Sequence, residues 1–443
     1  MKKLFALIMA GLMALCPMLL TGCDGLNNSS AQKDGFAVAL AAKREFTKNP
    51  FTGTGYNEAR GEKWAAEWAA RRQAAEKVPD ISAFSTALAQ AVLASRGASS
   101  TVFSPLNIYV ALALLAEVTG GETQEEILSV LGAEDIASLR TGVEAILTAE
   151  SMGDGVVTSN LANSVWLNKS LDYNEEPLRR LAEIYSASSF SGDPDDPAFK
   201  KALADWIDEN TGGLLKDASG NIRPGSVFTL VSTIYFKAPW AEKFSSSETE
   251  KELFHAPGGD VECSMMHLTE LPGLVYQGEG FTAVRRDFSE GGGSMWLLLP
   301  DEGLSPEAIA SAGLNFVASS ENAEGVSCKL HLAMPRLDVS SDLDLIPVLQ
   351  EMGIQKCFGG GDFSPLVGDA DAYVSRVQHA ARIKADEEGA EAAAFTAISA
   401  DGCAFIEEGS EYWFTLDRPF LLIMTGVSGE ATFVSAVNNP TEG

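Results

Sequence analysis

The chain has few histidines, and the motifs that organise catalytic sites are missing from it. Only four histidines occur among 443 residues, and none stands in a His-Glu-x-x-His zinc motif. No Gly-x-Ser-x-Gly nucleophile motif, Walker phosphate loop or paired-glycine dinucleotide fingerprint is present. The sequence therefore predicts a protein that is not an enzyme and that needs no metal or cofactor. The histidines are His255, His267, His331 and His379.

Basic residues are also scarce. The chain has 32 Lys and Arg residues against 61 Asp and Glu residues, which gives a formal net charge of -29. This acidity disfavours nucleic acid and anionic membrane surfaces as partners, because both are bound by basic patches. It gives no support to activation by a heparin-like polyanion, which needs the same kind of patch. We interpret the acidity as a contribution to solubility.

Cysteine is sparse, and no Cys-x-x-Cys pair occurs among the six residues. Cys16 and Cys23 belong to the N-terminal targeting segment, and the other four are widely spaced. This spacing predicts neither a metal site nor a dense disulfide framework, although one isolated bridge stays open. The four are Cys263, Cys328, Cys357 and Cys403.

The N-terminus has the pattern of an export signal. Lys2 and Lys3 precede an apolar run over residues 4–20, and Leu20-Thr-Gly-Cys23 resembles the lipobox of bacterial lipoproteins. The resemblance implies a signal peptide over residues 1–22 and a lipid on Cys23 that anchors the protein to a membrane. We therefore expect an extracytoplasmic protein of the cell envelope. The alternative is a plain secretory peptide with a chance cysteine.

Residues 23–79 read as a lipidated tether with one short helix over residues 62–77. Trp64 and Trp68 share one face of that helix, where they contact either the main domain, which we favour, or the membrane. A globular domain follows over residues 80–443. Thr123 has the position of a helix N-cap with Glu126 three residues later. The acidic run before residue 198 fits capping of a helix better than calcium binding, with Asp196 at its end.

An unusual stretch lies near the C-terminus. From Ala390, alternate residues are small or apolar, whereas the intervening set carries the charges. This period of two predicts a strand with one buried and one solvated face. The small inward residues suit a strand that enters between two strands already in place. An Ala-rich helix is the alternative for this segment taken alone.

The segment Glu387-Glu-Gly-Ala-Glu-Ala-Ala-Ala-Phe-Thr396 resembles the hinge of the reactive loop of inhibitory serpins. Phe103-Ser-Pro and Thr119-Gly-Gly-Glu-Thr-Gln-Glu-Glu-Ile127 look like the early helices of that family, and Asp417-Arg-Pro-Phe420 resembles its later part. The resemblance covers residues 80–440 in unbroken order. It implies an α+β serpin fold, with helices packed on three β-sheets and an exposed reactive-centre loop, about residues 387–413, that can insert into the central sheet.

The implied activity is suicide inhibition of a protease. The target attacks the loop, forms an acyl-enzyme, and is carried away as the hinge inserts as a strand. Ala390 stands where Thr or Ser is commoner, and Phe395 stands among residues that are usually small; we expect inhibition to survive both departures. The hinge residues are Glu387, Glu388, Gly389, Ala390, Glu391, Ala392, Ala393, Ala394, Phe395 and Thr396.

The family's usual spacing from Glu387 places the scissile bond between Cys403 and Ala404. A small residue there favours an elastase-like serine protease. Counting back from Phe414 places the bond nearer Ile406, and cleavage after Asp401 would indicate an Asp-specific cysteine protease. Oxidation of Cys403 would alter the surface that the target meets.

The resemblance also identifies a buried histidine, His379, beneath the point where the central sheet opens. The positions that match its family partners are Ser104, Asn107 and Ser232, and we call these four the shutter residues. Many relatives carry Ser at position 107 and Asn at position 232, so this chain has exchanged the two. We expect the exchange to keep one amide and two hydroxyls around His379; independent drift is the alternative.

Two further functions stay open. A non-inhibitory serpin would be cleaved as a substrate, or would act as a binding or carrier module, and a structural surface lipoprotein would be neither cleaved nor trapped. We expect a monomer whose partners are a target protease and, through Cys23, a membrane.

Overall fold

Seven of the ten α-helices in the described residues lie in the first half of the chain. The structure is a computed structural model that describes residues 35–52, 56–213, 222, 228–289, 291–369, 371–390 and 410–441. Within these residues the α-helices are α1 Glu58–Ala75, α2 Ser82–Arg96, α3 Pro105–Glu117, α4 Gly121–Leu131, α5 Ile136–Glu150, α6 Glu175–Glu183, α7 Pro197–Asn210, α8 Pro306–Ala318, α9 Ile346–Glu351 and α10 Ser364–Val367. Short 3₁₀ turns lie at Ser246–Glu248, Ser320–Asn322 and Lys356–Phe358.

The strands come mainly from the second half of the chain. In the same described residues they are β1 Ala37–Ala39, β2 Thr101–Phe103, β3 Met152–Gly153, β4 Thr158–Asn168, β5 Ala187–Gly192, β6 Phe228–Pro239, β7 Thr249–Ala256, β8 Gly259–Gly278, β9 Phe281–Asp287, β10 Ser294–Pro300, β11 Val326–Pro335, β12 Leu337–Asp344, β13 Val374–Ala385, β14 Gly389–Ala390, β15 Glu411–Thr415, β16 Phe420–Thr425 and β17 Ala431–Val437.

Two hydrogen-bonded sheets result. The eight-stranded sheet has the order β1-β5-β4-β6-β14-β13-β12, with β3 paired to β4. The nine-stranded sheet has the order β15-β11-β8-β9-β10-β16-β17-β2, with β7 paired to β8. The long strand β8 is shared by a four-stranded part (β15, β11, β8, β7) and a six-stranded part that runs from β8 to β2. The predicted α+β architecture with three sheets is confirmed in this form.

Helix α3 lies in the centre of the core, and every one of its residues from Pro105 to Glu117 is buried. Pro105 occupies the first turn, where the missing N–H costs nothing. The Ser104 hydroxyl caps the helix by accepting a hydrogen bond from the main-chain N–H of Asn107 at 3.1 Å. This cap places Ser104 and Asn107 directly under the eight-stranded sheet.

Helix α4 starts earlier than the sequence predicted, so the assignment of Thr123 as its N-cap is wrong. The helix begins at Gly121, because the Gly120 N–H donates to the Asp362 carbonyl at 3.0 Å and fixes the preceding turn. The Thr123 hydroxyl instead accepts from the Asp362 N–H at 2.8 Å. Glu126 accepts from the main-chain N–H groups of Gln355 and Lys356, both at 2.9 Å.

Other local predictions hold. Asp196 caps α7 by accepting from the Ala198 N–H at 2.8 Å, as its position before the helix predicted. Trp68 is 7% exposed and lies against Gly291 of the main domain, where a Cβ would come within 2.4 Å of its ring. The N-terminal helix therefore packs on the globular body, and Arg71 strengthens the contact by donating to the Ala149 carbonyl at 2.9 Å.

The segment before α1 also joins the body. Strand β1 pairs antiparallel with β5 and so becomes the edge of the eight-stranded sheet. Among the described residues, no helix is long and apolar enough to cross a membrane.

Candidate functional site

In the eight-stranded sheet, β6 and β13 pair directly at one end and are separated by β14 at the other. Strands β6 and β13 pair in parallel from Phe228 with Val374 up to Thr233 with Ala380. Beyond that point β14 lies between them. Ala390 is opposite Ala238 of β6 on one side and Ala385 of β13 on the other, antiparallel to both. The first two residues of the predicted inserting strand thus already belong to the sheet.

Main-chain hydrogen bonds hold the hinge at this parted end. The Trp240 N–H donates to the Glu388 carbonyl at 3.0 Å, and the Phe244 N–H donates to the Glu387 carbonyl at 3.1 Å. The Trp240 indole N–H donates to the Asp386 carbonyl at 2.8 Å. The segment before β14 is therefore fixed to the chain that follows β6.

Among the described hinge residues, Glu387 is a buried charged residue, with 6% of the whole residue exposed. The Arg336 guanidinium donates to its carboxylate at 2.6 and 3.0 Å, and the Thr249 hydroxyl donates at 2.6 Å. Burial by itself would raise the pKa of Glu387, but these hydrogen bonds and the positive charge of Arg336 bring it below its ordinary value. Next to it, Glu388 pairs with Lys243 at 2.6 Å on a more exposed surface.

Gly389 is the position in β14 where only glycine fits. A Cβ on this residue would lie 2.2 Å from the Ala238 carbonyl oxygen and 2.5 Å from the Pro239 Cα. Such a contact with backbone atoms can be relieved only by moving a strand. The glycine is therefore required by the close approach of β14 to β6.

The four shutter residues meet under the closed part of the sheet. The Ser104 main-chain N–H donates to His379 Nε2 at 3.0 Å, and the Ser232 hydroxyl lies 3.3 Å from His379 Nδ1. The Asn107 amide donates to the Ser232 hydroxyl at 2.7 Å and to the Thr233 carbonyl at 2.6 Å. The expectation of one amide and two hydroxyls around His379 is corrected in detail: the Ser104 hydroxyl caps α3, and the Asn107 amide contacts Ser232 rather than the imidazole.

The hydrogen bonds define the state of the histidine. Because Nε2 of His379 accepts, the neutral ring carries its proton on Nδ1 and donates it to Ser232. His379 is fully buried, and this burial lowers its pKa to about 3. The imidazole is therefore neutral at neutral pH, and it ties α3 to both β6 and β13.

Asn163 is a member of this network that the sequence did not reveal. It lies on β4 opposite Ser232 and donates from its amide to Asn107 Oδ1 at 3.1 Å. The available signal was a polar residue within an apolar strand that ends in Val-Trp-Leu. Its own carboxamide oxygen has no partner among the described residues.

Several predicted residues lie outside the described part of the chain. They are Cys23, Glu391, Ala392, Ala393, Ala394, Phe395, Thr396, Asp401, Cys403, Ala404 and Ile406. Cys263, Cys328 and Cys357 are buried free thiols. Among the residues that the structure covers, no group of three or more His, Cys, Asp and Glu side chains is placed to hold a metal ion.

Comparison with known proteins agrees with this arrangement. The family model described as Serpin (serine protease inhibitor) matches residues 79–440. A serpin-like protein of Thermococcus kodakarensis is 30% identical over 358 residues, which are 78% of this chain and 82% of that protein. Serpin A3-6 of Bos taurus is 28% identical over 356 residues, which are 77% of this chain and 83% of that protein.

Solved structures agree in fold. The native state of the thermophilic serpin tengpin superposes with a TM-score of 0.71 at 20% identity, covering 89% of this chain and 97% of that one. Thyroxine-binding globulin in complex with thyroxine gives a TM-score of 0.71 at 24% identity, covering 81% of this chain and 98% of that one.

Proposed function

Since this chain belongs to the serpin family, we propose that it is an inhibitory member that traps a protease, most readily an elastase-like serine protease, as a covalent acyl-enzyme. The family consists in general of protease inhibitors rather than catalysts. One observation carries the proposal for this chain: Gly389 and Ala390 already form a strand between β6 and β13.

The pairing of β14 fixes where the rest of the hinge would go. Continuing its antiparallel register would bring position 395 opposite Thr233 and Ala380, where β6 and β13 begin to pair with each other. Residues 391–394 would therefore enter before any existing strand pair has to separate. Insertion of residues beyond 394 would require β6 and β13 to separate where they pair beside His379.

The walls of this space fit small side chains. Ala390 and its partners Ala238 and Ala385 are buried in the hydrophobic core. Two residues further on, the same register would place Ala392 between Phe236 and Ile383, which also contact the core. Because strand side chains alternate, Phe395 would point to the face opposite that of Ala390 and Ala392.

The outcome would depend on a kinetic competition between insertion of the hinge and hydrolysis of the acyl-enzyme. The protease's serine oxygen attacks the carbonyl carbon of the scissile bond, the amide bond breaks, and the new amino terminus leaves with the proton. The hinge is then free to insert, and about a dozen new backbone hydrogen bonds at roughly 0.5–1.5 kcal/mol each would release about 10 kcal/mol. This is comparable to the ~5–15 kcal/mol that stabilises a domain, so it is enough to distort the trapped enzyme before water hydrolyses the ester.

The scissile bond is proposed between Cys403 and Ala404, with bonds after Asp401 and near Ile406 as alternatives. To test the proposal, the full chain in a mild detergent is incubated with an elastase-like and a trypsin-like protease. A covalent complex that survives denaturing gels is the expected result, and mass spectrometry of the released peptide identifies the bond.

If every protease that cuts the loop leaves only cleaved chain, the melting temperature of that product decides the next step. A large rise would mean that insertion works but loses the race with these enzymes. No rise would refute the inhibitory proposal and favour a non-inhibitory serpin.

We further propose that Cys23 carries a diacylglycerol thioether and anchors the protein on the outer side of a membrane in the cell envelope. The lipobox resemblance supports it. Cys23→Ser should move the protein from the detergent phase to the aqueous phase in a phase-separation assay, and mass spectrometry should lose the lipid mass. Unchanged partitioning would refute the anchor without affecting the proposal of inhibition.

A further inference from the structure

Exposed apolar side chains gather in the four-stranded part of the nine-stranded sheet. Eleven large hydrophobic side chains are exposed among the described residues, and five of these lie on β7, β8, β11 and β15. Tyr412 and Trp413 are neighbours in β15 and point to opposite faces, and Trp413 shares its face with His331 and Thr269. The five are Leu253, Leu274, Val326, Tyr412 and Trp413.

Trp413 stands out among them, because it is 65% exposed in the middle of a strand. Its indole stacks on the His331 ring with centroids 4.8 Å apart and planes at 11°. The Thr269 hydroxyl lies 3.2 Å from one ring nitrogen of His331, and the Glu411 carboxylate lies 3.3 Å from the other. The indole is therefore held in one orientation with its outer face open.

The charges around this indole are balanced. Glu411 also pairs with Lys329 at 3.0 Å, so acid and base sit together beside the aromatic face. We use the name Trp413 surface for Trp413, His331, Glu411, Lys329 and Thr269. An open aromatic centre with a paired polar rim is the composition of an interface hot spot, in which Trp is enriched.

The position of the Trp413 surface identifies its partner. Strand β15 begins directly after Ser410, whose carbonyl accepts from the Lys329 N–H at 3.0 Å. The proposed scissile bond after Cys403 precedes this strand in the chain. From a bond at Cys403, the nine residues 404–412 can span at most about 30 Å. A compact protease domain of about 230 residues has a radius of gyration of about 17 Å, which corresponds to a diameter of about 45 Å, so a protease bound at that bond is large enough to extend to Trp413.

We propose that the Trp413 surface is a second docking site for the target protease, beside the cleft that holds the residues after the scissile bond. The partner would present an apolar depression for the indole, rimmed by polar groups of both signs. The inference rests on the proposed function only in requiring that the protease attacks the loop. It concerns how fast the protease engages, whereas trapping depends on the insertion of the hinge.

The two steps have separate readouts. Elastase, subtilisin and trypsin are compared first, and the protease that attacks the loop fastest is used. Its kcat/KM for total attack is measured from the sum of cleaved and trapped chain. The trapped fraction is measured from the same gels. Trp413→Ala should lower the total attack rate at least 10-fold and leave the trapped fraction unchanged, whereas Trp413→Tyr should restore part of the rate.

A matched control is Tyr373→Ala. Tyr373 is 42% exposed and precedes β13, whose 12 residues separate it by about 40 Å from the hinge end of that strand. This variant should be attacked by the protease at the same rate as the wild type. Equal melting temperatures of the variants would exclude loss of folding as the cause of a slower rate.

Each contrary result has a distinct meaning. An unchanged attack rate in Trp413→Ala overturns the docking site while inhibition stands. A faster rate shows that the chain's own loop covers Trp413, and a dimer that this substitution dissociates shows that a second copy does; both overturn the proposal. A 10-fold loss with no trapped wild type supports the docking site, and the melting temperature of the cleaved chain then decides whether the inhibitory proposal stands; a loop that no protease attacks refutes both.

Discussion

Nε2 of His379 accepts a hydrogen bond from the main-chain N–H of Ser104, 275 residues away in sequence, at 3.0 Å. The bond joins the start of α3 to β13, the strand that would separate from β6 under the proposed insertion of the hinge. Because an N–H faces Nε2, a proton on that nitrogen would set two donors against each other. Protonation of this imidazole would therefore weaken the contact between α3 and β13.

We predict that the native state loses stability as the pH falls from about 6.5 towards 3. Burial lowers the pKa of His379 from its ordinary value of 6.5 to about 3, so the unfolded chain binds a proton in this window and the folded chain does not. The loss from this residue approaches ~1.4 kcal/mol per pH unit. Thermal unfolding of wild type and His379→Gln between pH 7.5 and 4 provides the measurement.

The variant serves as the control, since all other titrating groups are shared. At pH 7.5 it should be less stable than the wild type by roughly 1–3 kcal/mol, because the Ser104 N–H loses its imidazole acceptor. The gap should narrow as the pH falls. Parallel pH profiles would show that His379 does not contribute to the acid sensitivity.

The exchange of residues at positions 107 and 232 predicts energetic coupling. The Asn107 amide and the Ser232 hydroxyl are 2.7 Å apart in a fully buried site. Asn107→Ser and Ser232→Asn should each cost roughly 1–3 kcal/mol, the first by leaving the Thr233 carbonyl without a donor and the second by overpacking. Together they should cost less than the sum, by about 0.5–3 kcal/mol. Denaturant unfolding of the four proteins measures this cycle, and additive costs would mean independent drift.

The sequence predicted the shutter only as far as the family resemblance carried it. Asn163 was not predicted as a member of the network, because its role depends on the pairing of β4 with β6. This pairing places it opposite Ser232, 69 positions later in the chain. The start of α4 was predicted wrongly for a similar reason, since the Gly120 N–H donates to the carbonyl of Asp362, which is distant in the sequence. Period and capping patterns report local preferences, and they fail where a long-range hydrogen bond decides the geometry.

By contrast, the start of the inserting strand was visible in the sequence. Small or apolar residues at every second position from Ala390 predicted a strand with one buried and one solvated face. Ala390 does lie in β14, opposite Ala238, and Gly389 before it lies opposite Pro239. Strand β1 was not predicted, because its three residues are too few to show a period.

We predict that Gly389→Ala removes β14 from the sheet. The added Cβ would lie 2.2 Å from the Ala238 carbonyl oxygen, so the strand has to withdraw. Hydrogen exchange should then accelerate at the N–H groups of Trp240 and Phe244, which donate to the hinge. Gly359→Ala is the matched control, because its Cβ would meet no atom within 4 Å. Unchanged exchange at both amides would mean that the hinge is not held by this pairing.

The register of β14 predicts an electrostatic effect at Glu391. Continued by one residue, it would place this carboxylate between Lys237 of β6 and Lys384 of β13. Glu391→Lys would replace attraction by repulsion, and exposed pairs contribute about 0.2–1 kcal/mol each. The trapped fraction of the chain should fall several-fold, and Lys237→Glu in the same chain should restore part of it.

Glu391→Gln separates the two contributions, because it removes the attraction and adds no repulsion. Its trapped fraction should lie between those of the wild type and Glu391→Lys. Identical fractions in all three proteins would show that position 391 does not pass between the two lysines.

The pair of Arg336 and Glu387 predicts the last effect. Glu387 is buried at the hinge while Arg336 is about half exposed, at 8% and 49% side-chain exposure. Arg336→Met would leave the carboxylate with Thr249 as its remaining side-chain donor. The cost should be about 1–2 kcal/mol rather than the 3–5 kcal/mol of a fully buried pair, since solvent reaches the guanidinium. Glu387 should then take up its proton at a higher pH, so the difference in stability between the variant and the wild type should narrow on acidification, because protonation removes the buried carboxylate's uncompensated charge. Combining Arg336→Glu with Glu387→Arg should recover stability if the contact acts through charge. A double variant no more stable than Arg336→Met would show instead that the geometry at this end of the sheet accepts the pair in only one orientation.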